Sequence, residues 1–452
     1  MEPIEQAATH LSQTAQKFLD YVTSDPERTR RLDHLASGEY FAPLQSWPTF
    51  VDERKLAEIH RATVDLTRVI RTVPERIFGN DPAKIAAYYG IRNEAMIAIL
   101  LEPPSGLEAV LVRNDYLDTP DGFKCLEVNA GLIGGWQLRF FEQRVRAHPM
   151  IARFLAEEGV DPYHRDPLTE MLRYIIEHNL GKPTAAGGVL NVAIAMMMNQ
   201  RIPANEATRL TGIYRNLLDK TGTGLTGEVV LCSCADLSGR QNQLWHLNRL
   251  PIHALVQMSP DPPPEAVFRL FKSSRLSLYN GPINLLMNDK RVLALLSEQA
   301  DSSLFTAEER DILEKHLPWT RAVGTGVTTY REEKGALPDL MIAHREELVL
   351  KPSFGFQGRG VTFGHRTAPD EWARLVHEAV AKGGWLAQEQ VASRPYMYQY
   401  GEQGYGAHDV VWGTFCFGDL YGGGFLRMIP RGVGDGVINS ARGATEGVLF
   451  EV

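Results

Sequence analysis

The sequence predicts an α/β protein built from several structural units. Three patterns lead to this fold class: a helical period near the amino terminus, two strand-like runs joined through Asp121 and Gly122, and alternating strands and helices over residues 187–258. The chain has 452 residues, of which 44% are hydrophobic and 23% are charged. This length and composition indicate about two to four units and exclude a mainly disordered chain.

Charge, apolar runs and cysteines narrow the class of protein further. The net charge of −8 makes a general nucleic-acid binder a poor candidate. The first residues lack the basic and apolar segments of a secretory signal, and the apolar run at residues 189–198 is about half as long as a membrane span. We therefore expect a cytoplasmic protein with no nucleic-acid and no membrane partner. We expect reduced, small core residues rather than metal ligands at Cys125, Cys232, Cys234 and Cys416.

The first two regions of the chain are predicted to be a helical region and a strand pair. Residues 1–100 should be helical, because apolar residues recur at a helical spacing over residues 52–78. Residues 101–186 should contain a hairpin, because a turn sequence with Asp-Gly separates two β-type runs. The strands and the turn are predicted at residues 107–115, 123–129 and 119–122.

The rest of the chain is predicted to continue as α/β structure in two parts. Residues 187–262 should form a unit with parallel strands, and residues 263–452 a further α/β part. The clearest boundary between them is the Asp-Pro-Pro-Pro segment at residues 261–264. The first part is predicted to have strands at 190–197, 229–234 and 252–257 and a helix at 204–218. The second part is predicted to have strands near 347–350 and 385–388.

Two short polar motifs on the predicted hairpin can form a metal site. They are Arg113-x-Asp115 and Glu127-x-Asn129, in which the named residues are two apart and so point to the same face of their strand. A hairpin would bring these two faces together. Carboxylate and amide oxygens suit Mg²⁺, and a guanidinium group suits a phosphate. The alternative is a set of solvated residues on the outer face of an edge hairpin.

A lysine at the end of an apolar strand leads into a glycine-rich loop. Lys351 is followed by Gly355, Gln357, Gly358 and Gly360. Backbone N–H groups of such a loop, together with one ammonium group, can bind phosphates. The segment is not a Walker loop, because Gly-Lys-Ser/Thr is missing. The alternative is a glycine-rich turn that binds no ligand.

Three further segments carry weaker signals. Gln388, Glu389 and Val391 end an apolar strand and can face an adenine edge, although any internal strand followed by a loop looks similar. Lys290 opens an amphipathic helix and is either a phosphate ligand or a surface lysine. Late in the chain, strand-like segments beside glycines carry Arg427, Asn439 and Arg442, which can grip a ligand or simply flank tight turns.

Together these motifs resemble those of the ATP-grasp enzymes, and more closely those of the circularly permuted group typified by the synthetase domain of glutathionylspermidine synthase. The resemblance runs from about residue 107 to the end and is least specific over residues 187–258. It implies an α/β ATP-grasp fold in permuted order, with a helical amino-terminal region and an inserted, pre-ATP-grasp-like α/β unit. This sequence departs from the family in the aspartate inserted before Lys290 and in the long stretch between Lys290 and Lys351.

The resemblance also implies roles for the candidate residues. Asp115, Glu127 and Asn129 would bind Mg²⁺, and Arg113 would stabilise the phosphoryl group during transfer. Arg427 would assist it, and Arg427 and Arg442 would grip either the phosphates or a substrate carboxylate. The remaining residues would bind ATP: Lys290, Lys351, Gly355, Gln357, Gly358, Gly360, Gln388, Glu389 and Val391. Its phosphates would contact the two lysines and the glycine-rich loop, and its adenine would contact the segment at residues 388–391.

The implied activity is ATP-dependent ligation of a carboxylate to an amine through an acyl phosphate, with ATP and Mg²⁺ as cofactors. The partners would be small molecules: an amino acid or small peptide as the acid, and an amine as the acceptor. Two alternatives stay open, a kinase or phosphotransferase without an amine step and a non-catalytic nucleotide-binding scaffold. Residues 1–100 show no sign of the cysteine amidase domain of some family members, so we expect no hydrolase activity. A homodimer is compatible with the sequence.

Overall fold

The computed structural model describes residues 11–32, 35, 38, 42–92, 94–101, 107, 109–197, 203–281, 284–355, 357–400 and 404–452. Parts of several predicted segments lie outside the described residues. They are residues 1–10, 33–34, 36–37, 39–41 and 93 of the helical region, Glu108 of the first predicted strand, Met198 of the apolar run and Phe356 of the glycine-rich loop.

The strands of the described residues are distributed over the chain from residue 49 onward. In chain order they are β1 Thr49–Val51, β2 Leu111–Thr119, β3 Gly122–Ala130, β4 Val192–Ala195, β5 Val229–Cys232, β6 Leu237–Arg240, β7 Gln243–His246, β8 Leu250–Ile252, β9 Ala254–Gln257, β10 Ser277–Tyr279, β11 Thr320–Ala322, β12 Val327–Tyr330, β13 Glu333–Ala336, β14 Leu348–Pro352, β15 Thr362–Phe363, β16 Trp385–Glu389, β17 Tyr396–Tyr398, β18 Gly406–Phe417, β19 Leu420–Pro430 and β20 Thr445–Glu451.

Six helices and the short strand β1 lie in the described part of residues 1–101, where the sequence predicts a helical region, and the later helices alternate with strands. They are Gln13–Thr23, Pro26–Arg31, Glu53–Arg71, Val73–Arg76, Pro82–Tyr89, Glu94–Leu101, Leu138–Arg146, Pro149–Glu158, Pro167–Asn179, Glu206–Lys220, Ala266–Lys272, Asn284–Met287, Arg291–Glu298, Ala307–His316, Leu337–Ala343 and Pro369–Lys382. In the described residues, no helix is long and apolar enough to cross a membrane. All four cysteines are buried and free, as expected for core residues.

The largest sheet of the described residues has the strand order β1-β20-β19-β18-β2-β3, and β17 pairs with the start of β18. One face of this sheet packs on the helix Glu53–Arg71. Tyr116 donates a hydrogen bond of 2.7 Å to the Ala62 carbonyl of that helix, and Thr63 donates one of 2.8 Å to Thr414. Side chains alternate along β2, so the residues next to Tyr116 point away from the helix. Arg113 and Asp115 therefore lie on the face of the sheet opposite the helix.

Residues 187–262 were predicted to form a unit with parallel strands, and the structure contains one. Its sheet has the order β10-β9-β4-β5, and all three pairs are parallel. The sheet extends past the predicted boundary at residue 262, because β10 pairs with β9. The helix Ala266–Lys272 connects these two strands. The prolines at 262–264 therefore lie in a crossover connection within the unit rather than in a linker after it.

A four-stranded antiparallel sheet holds the second half of the predicted nucleotide site. Its order is β11-β16-β14-β15. Leu348, Leu350 and Ala387 lie in one hydrophobic cluster with Trp372 of the helix Pro369–Lys382. Because side chains alternate along a strand, Lys351 points away from that helix. The two predicted strands near residues 347–350 and 385–388 are confirmed as β14 and β16.

Candidate active site

The strands β2 and β3 form the predicted hairpin, and its register brings the two polar motifs together. Arg113 lies directly opposite Asn129, and Asp115 directly opposite Glu127. The register then shifts by one residue after Asp115, which leaves Leu126 as an extra residue on β3. The predicted shared face is confirmed. The turn predicted at residues 119–122 is present: Thr119 pairs with Gly122, and Pro120 and Asp121 connect the two strands.

Asp115 is the centre of a buried ionic network. Its carboxylate accepts a hydrogen bond of 2.9 Å from Arg113 Nε and lies 2.7 Å from Arg427 Nη2. Asn129 Nδ2 donates a third contact at 3.2 Å. Burial raises the pKa of Asp115, but the guanidinium groups of Arg113 and Arg427 outweigh burial and hold the pKa well below its ordinary value. The carboxylate therefore stays ionised at every physiological pH.

Lys290 connects the hairpin to the glycine-rich loop. Its Nζ lies 3.2 Å from Glu127 Oε2 and donates a hydrogen bond of 3.2 Å to the Gly355 carbonyl. Its backbone N–H donates to the Ser353 carbonyl at 2.8 Å. Lys290 immediately precedes the helix Arg291–Glu298, as the sequence predicts. The structure therefore brings Lys290 to the candidate site despite the aspartate that precedes it.

Lys351 and Gln388 face the same space from neighbouring strands. Lys351 Nζ donates a hydrogen bond of 2.5 Å to Gln388 Oε1, and Gln388 Nε2 donates one of 3.1 Å to Thr320. Burial lowers the pKa of Lys351 to about 8, because the opposing effect of the Glu127 carboxylate is smaller. An anion that pairs with this ammonium would recover part of the cost of its burial.

The glycine-rich loop packs against a second loop, residues 431–444, between β19 and β20. Gly358 has a φ of +65°, and a Cβ at this position would lie 2.3 Å from Val437 Cγ1. Only glycine allows this close approach without displacement. Arg442 Nη1 donates a hydrogen bond of 3.3 Å to the Gly358 carbonyl and pairs with Asp435. The two loops therefore meet at Gly358.

The prediction that strand-like segments carry Asn439 and Arg442 is wrong. Ser440–Arg442 is a 3₁₀ turn, and β20 begins only at Thr445. The Asn439 side chain accepts a hydrogen bond of 2.9 Å from the Ala441 N–H, and Gly443 has a φ of +93°. A capping asparagine and a left-handed glycine end the turn on both sides, so this stretch cannot continue a strand. Arg427, in contrast, lies on β19 as predicted.

These elements enclose a cavity of about 430 Å³ between the largest sheet, the four-stranded antiparallel sheet and the two loops. The predicted residues that line it are Asp115, Glu127, Lys290, Lys351, Gly355, Gly358, Gln388, Glu389, Val391, Arg427 and Asn439. The other predicted residues adjoin the lining without belonging to it: Arg113, Asn129, Gln357, Gly360 and Arg442. Most of the residues chosen from the sequence therefore meet at one place.

The charge of the lining differs from that of the whole chain. The basic side chains are Lys290, Lys351, Arg359, Arg366, Arg427 and Arg431, and the acidic ones are Asp115, Glu127, Glu389 and Asp409. Six basic and four acidic groups leave the lining net positive, whereas the chain has a net charge of −8. A positive, partly enclosed cavity in an acidic protein favours an anionic ligand.

Sequence reasoning missed a polar cluster at the end of the predicted adenine segment. Arg431 Nε donates a hydrogen bond of 2.9 Å to Asp409, and Arg431 Nη2 donates one of 2.7 Å to the Ser393 carbonyl. Ser393 also donates to Asp409 at 3.0 Å. The available signal was the basic residue at the end of the strand-like run that carries Arg427, since β19 ends at Pro430 and Arg431 follows it directly. Asp409 and Ser393 belong to no recognisable motif.

Comparison with known proteins gives a match at the level of structure. No family model and no curated protein matches the sequence. A glutathione synthetase-like effector from Globodera pallida, in its apo form, matches with a TM-score of 0.55 and 11% identity, over 100% of this chain and 98% of that chain. This likeness shows the fold, and the predicted α/β fold of the ATP-grasp type is confirmed. The circularly permuted order stays a prediction.

Two further solved structures match at lower scores. A putative gamma-glutamylcysteine synthetase from Methylobacillus flagellatus KT has a TM-score of 0.42 and 11% identity, over 86% of this chain and 88% of that chain. A D-alanyl-alanine synthetase A from Vibrio cholerae has a TM-score of 0.28 and 11% identity, over 54% of this chain and 68% of that chain.

The hairpin side chains have the chemistry of a Mg²⁺ site. Asp115 and Glu127 face each other across two strands, and Asn129 carries an amide on the same face, whose Nδ2 now contacts Asp115. Their present contacts are with cationic or amide groups, namely Arg113, Arg427, Lys290 and the Asn129 amide. In the described residues, no three His, Cys, Asp or Glu side chains are placed to hold a metal ion. The candidate set has two carboxylates, which suits an ion that completes its shell with water and phosphate oxygens.

Proposed function

We propose that the protein is an ATP-dependent ligase that joins a carboxylate to an amine through an acyl phosphate. The observation that carries this proposal is the convergence of the hairpin, two lysines, a glycine-rich loop and the segment at residues 388–391 on one positive cavity. The likeness in fold to a glutathione synthetase-like protein supports it. An amino acid or a small peptide is the proposed acid, and a small amine the proposed acceptor.

The basic groups of the cavity would hold the phosphates and neutralise charge during transfer. A substrate carboxylate oxygen would attack the γ-phosphorus, and the bond to ADP would break. Arg427 and Lys290 stand on either side of the acidic pair Asp115 and Glu127, so negative charge arriving there meets cations from two directions. Lys351 would pair with phosphates nearer the segment at residues 388–391.

Asp115, Glu127 and Asn129 would hold Mg²⁺, and a bound Mg²⁺ would supply further neutralisation of the phosphate oxygens. The chain's own contribution is orientation. Arg113 Nη1 donates a hydrogen bond of 2.7 Å to the Ile133 carbonyl, while Arg113 Nε and Nη2 both contact Asp115. The guanidinium group is thereby fixed beside the carboxylate, with little freedom left to lose when a ligand binds.

The two loops would exclude water from the reacting groups. An acyl phosphate hydrolyses if water reaches it, so a ligase needs a closed site until the amine arrives. The contact between Gly358 and Val437 and the hydrogen bond from Arg442 join the loops over the cavity. Gly436, Val437 and Gly358 all line the cavity on this side.

The test is ADP release from MgATP across a panel of amino acids and dipeptides as acids, each with and without glycine or a diamine. The proposal predicts ADP release that requires one of the acids and an amide product that contains both components. ADP release driven by an alcohol, with a phosphorylated product and no amide, would contradict the ligase and indicate a kinase. No ADP release with any acid, from protein that binds ATP, would contradict an enzyme of this class.

A further inference from the structure

A buried carboxylate lies beside Arg427, outside the residues that line the nucleotide cavity. Glu446 on β20 is the direct cross-strand partner of Arg427 on β19, so both side chains point to the same face of the large sheet. In the strand order, Arg427 stands between Glu446 and the pair Asp115 and Glu127. Glu446 is only 3% exposed. The candidate phosphate site thus has an acidic neighbour on the side away from the hairpin.

Neutral donors, not cations, contact this carboxylate. Ser440 Oγ donates a hydrogen bond of 2.5 Å to Oε1, and Gln137 Nε2 donates one of 2.5 Å to Oε2. In the part of the chain that the structure describes, Glu446 forms no ion pair, and its cross-strand neighbour Arg427 pairs with Asp115 instead, at 2.7 Å. Burial raises the pKa of Glu446, although Arg427 and Arg113 act in the opposite direction. A buried carboxylate whose nearest cations are not in direct contact keeps part of its desolvation cost, which a cationic ligand would offset.

The three groups lie in three different elements of the fold. Gln137 precedes the helix Leu138–Arg146, Ser440 lies in the loop that meets Gly358, and Glu446 lies in the sheet. The same loop therefore contacts the glycine-rich loop through Arg442 and this carboxylate through Ser440. A ligand at Glu446 would lie beneath that loop and next to Arg427.

We propose that Glu446, Gln137 and Ser440 form the binding site for the ammonium group of the amine substrate, and that Glu446 accepts its proton. This inference rests on the proposed ligase function. The ammonium group would take the place of the Ser440 hydroxyl at the carboxylate. The chemical class of the acceptor is then a primary amine that arrives charged, such as an amino acid or a polyamine, rather than an alcohol or water.

The chemistry of the second half-reaction requires such a group. An ammonium nitrogen has no lone pair, so one proton must leave before the nitrogen can attack the acyl carbon. Glu446 would take that proton. As the new C–N bond forms, the C–O bond to the phosphate breaks, and the second N–H proton leaves with the departing phosphate. The products are an amide and inorganic phosphate, and no oxidant or further reactant is needed.

The test separates the two half-reactions in Glu446→Gln. Hydroxylamine is largely uncharged at pH 7 and attacks an acyl phosphate without a site for an ammonium group, so hydroxamate formation reports acid activation alone. The variant should form hydroxamate within about threefold of the wild-type rate. Amide formation with glycine or a diamine should fall about 100-fold, as expected for loss of a general base. Glu446→Asp, which keeps a carboxylate, should recover part of the amide rate.

The matched control is Glu451→Gln on the same strand. Glu451 points to the opposite face and pairs with Arg165 at 3.0 Å, so both half-reactions should keep their rates. Equal loss of hydroxamate and amide in Glu446→Gln would overturn the inference in favour of a structural role. An unchanged amide rate would also overturn it, as would a wild-type protein that forms hydroxamate but no amide with charged amines. A wild-type protein that forms no hydroxamate with any acid would instead contradict the proposed ligase function itself.

Discussion

At the scale of single residues, Lys351 is a buried ammonium group whose hydrogen-bond partner is neutral, so it can pair with an anionic ligand. Its ammonium group contacts the neutral Gln388 amide at 2.5 Å, and burial lowers its pKa to about 8. The neutral form of a lysine cannot pair with a phosphate. A nucleotide that pairs with Lys351 must therefore bind the protonated form.

This predicts a pH dependence of nucleotide affinity. Below pH 8 Lys351 is charged, and ADP binding should be strongest there. Above about pH 8 the affinity should fall, because Lys351 must first take up a proton before it can pair with a phosphate. Calorimetry from pH 7 to pH 9.5 measures this fall. Lys351→Arg keeps its charge over the whole range, so its affinity should be flat. The same slope in the wild type and the variant would contradict the role of Lys351.

The two hairpin carboxylates should respond differently to substitution. Asp115 is buried between Arg113 and Arg427, so Asp115→Asn leaves two guanidinium groups without their buried anion and should cost about 3 kcal/mol of unfolding free energy. The Glu127 side chain is 30% exposed, so Glu127→Gln should change stability by no more than about 0.5 kcal/mol.

Both variants should lose the Mg²⁺ dependence of ADP binding, because each lacks one ionised oxygen ligand. Urea denaturation measures the stability, and calorimetry with and without Mg²⁺ measures the binding. Glu127→Gln is thus the cleaner test of the metal assignment. If it binds ADP with an undiminished Mg²⁺ effect, Glu127 does not hold the ion.

At the scale of elements, the hairpin β2–β3 was predictable and the loop at residues 431–444 was not. Two-residue spacing within each motif and the Asp-Gly turn are local signals, and the strands obey them. In the loop, a capping Asn439 and the glycines at positive φ override a strand-like composition. The meeting of this loop with Gly358 depends on distant parts of the chain, and local patterns carry no information about it.

The contact between Gly358 and Val437 gives a prediction for the glycine-rich loop. Gly358→Ala places a methyl group 2.3 Å from Val437 Cγ1 and should separate the two loops, with a fall of at least tenfold in affinity for ATP. Gly383→Ala is the matched control, because Gly383 has a φ of +67° and no neighbour within 4 Å. Both positions have a positive φ, and only at Gly358 would the new methyl group meet a neighbouring residue.

Calorimetry of ATP binding measures the difference between the two glycine variants. Gly383→Ala should keep wild-type affinity even if its melting temperature falls. Equal affinities for the two variants would show that the contact at Gly358 does not contribute to nucleotide binding.

At the scale of the whole molecule, the sequence predicts several residues of the site but not the pairing of strands that brings them together. Arg113, Asp115, Lys290 and Lys351 were recognisable because family-like motifs surround them. Glu446 and Asp409 were not, because a single acidic residue in a strand has no motif. Their importance depends on which strands become neighbours, and β20 pairs with both β19 and β1, whose sequences lie far apart. Long-range pairing of this kind leaves no local trace in one sequence.

The most direct test of the ligase proposal follows one oxygen atom. An acid that supports ADP release is labelled with ¹⁸O in its carboxylate and converted to amide, and the released phosphate is analysed by mass spectrometry. Attack of the carboxylate on the γ-phosphorus transfers one carboxylate oxygen to the phosphate, so each released phosphate should carry one ¹⁸O. Phosphate without ¹⁸O, released in step with ADP and amide, would contradict an acyl phosphate and the proposed ligase mechanism.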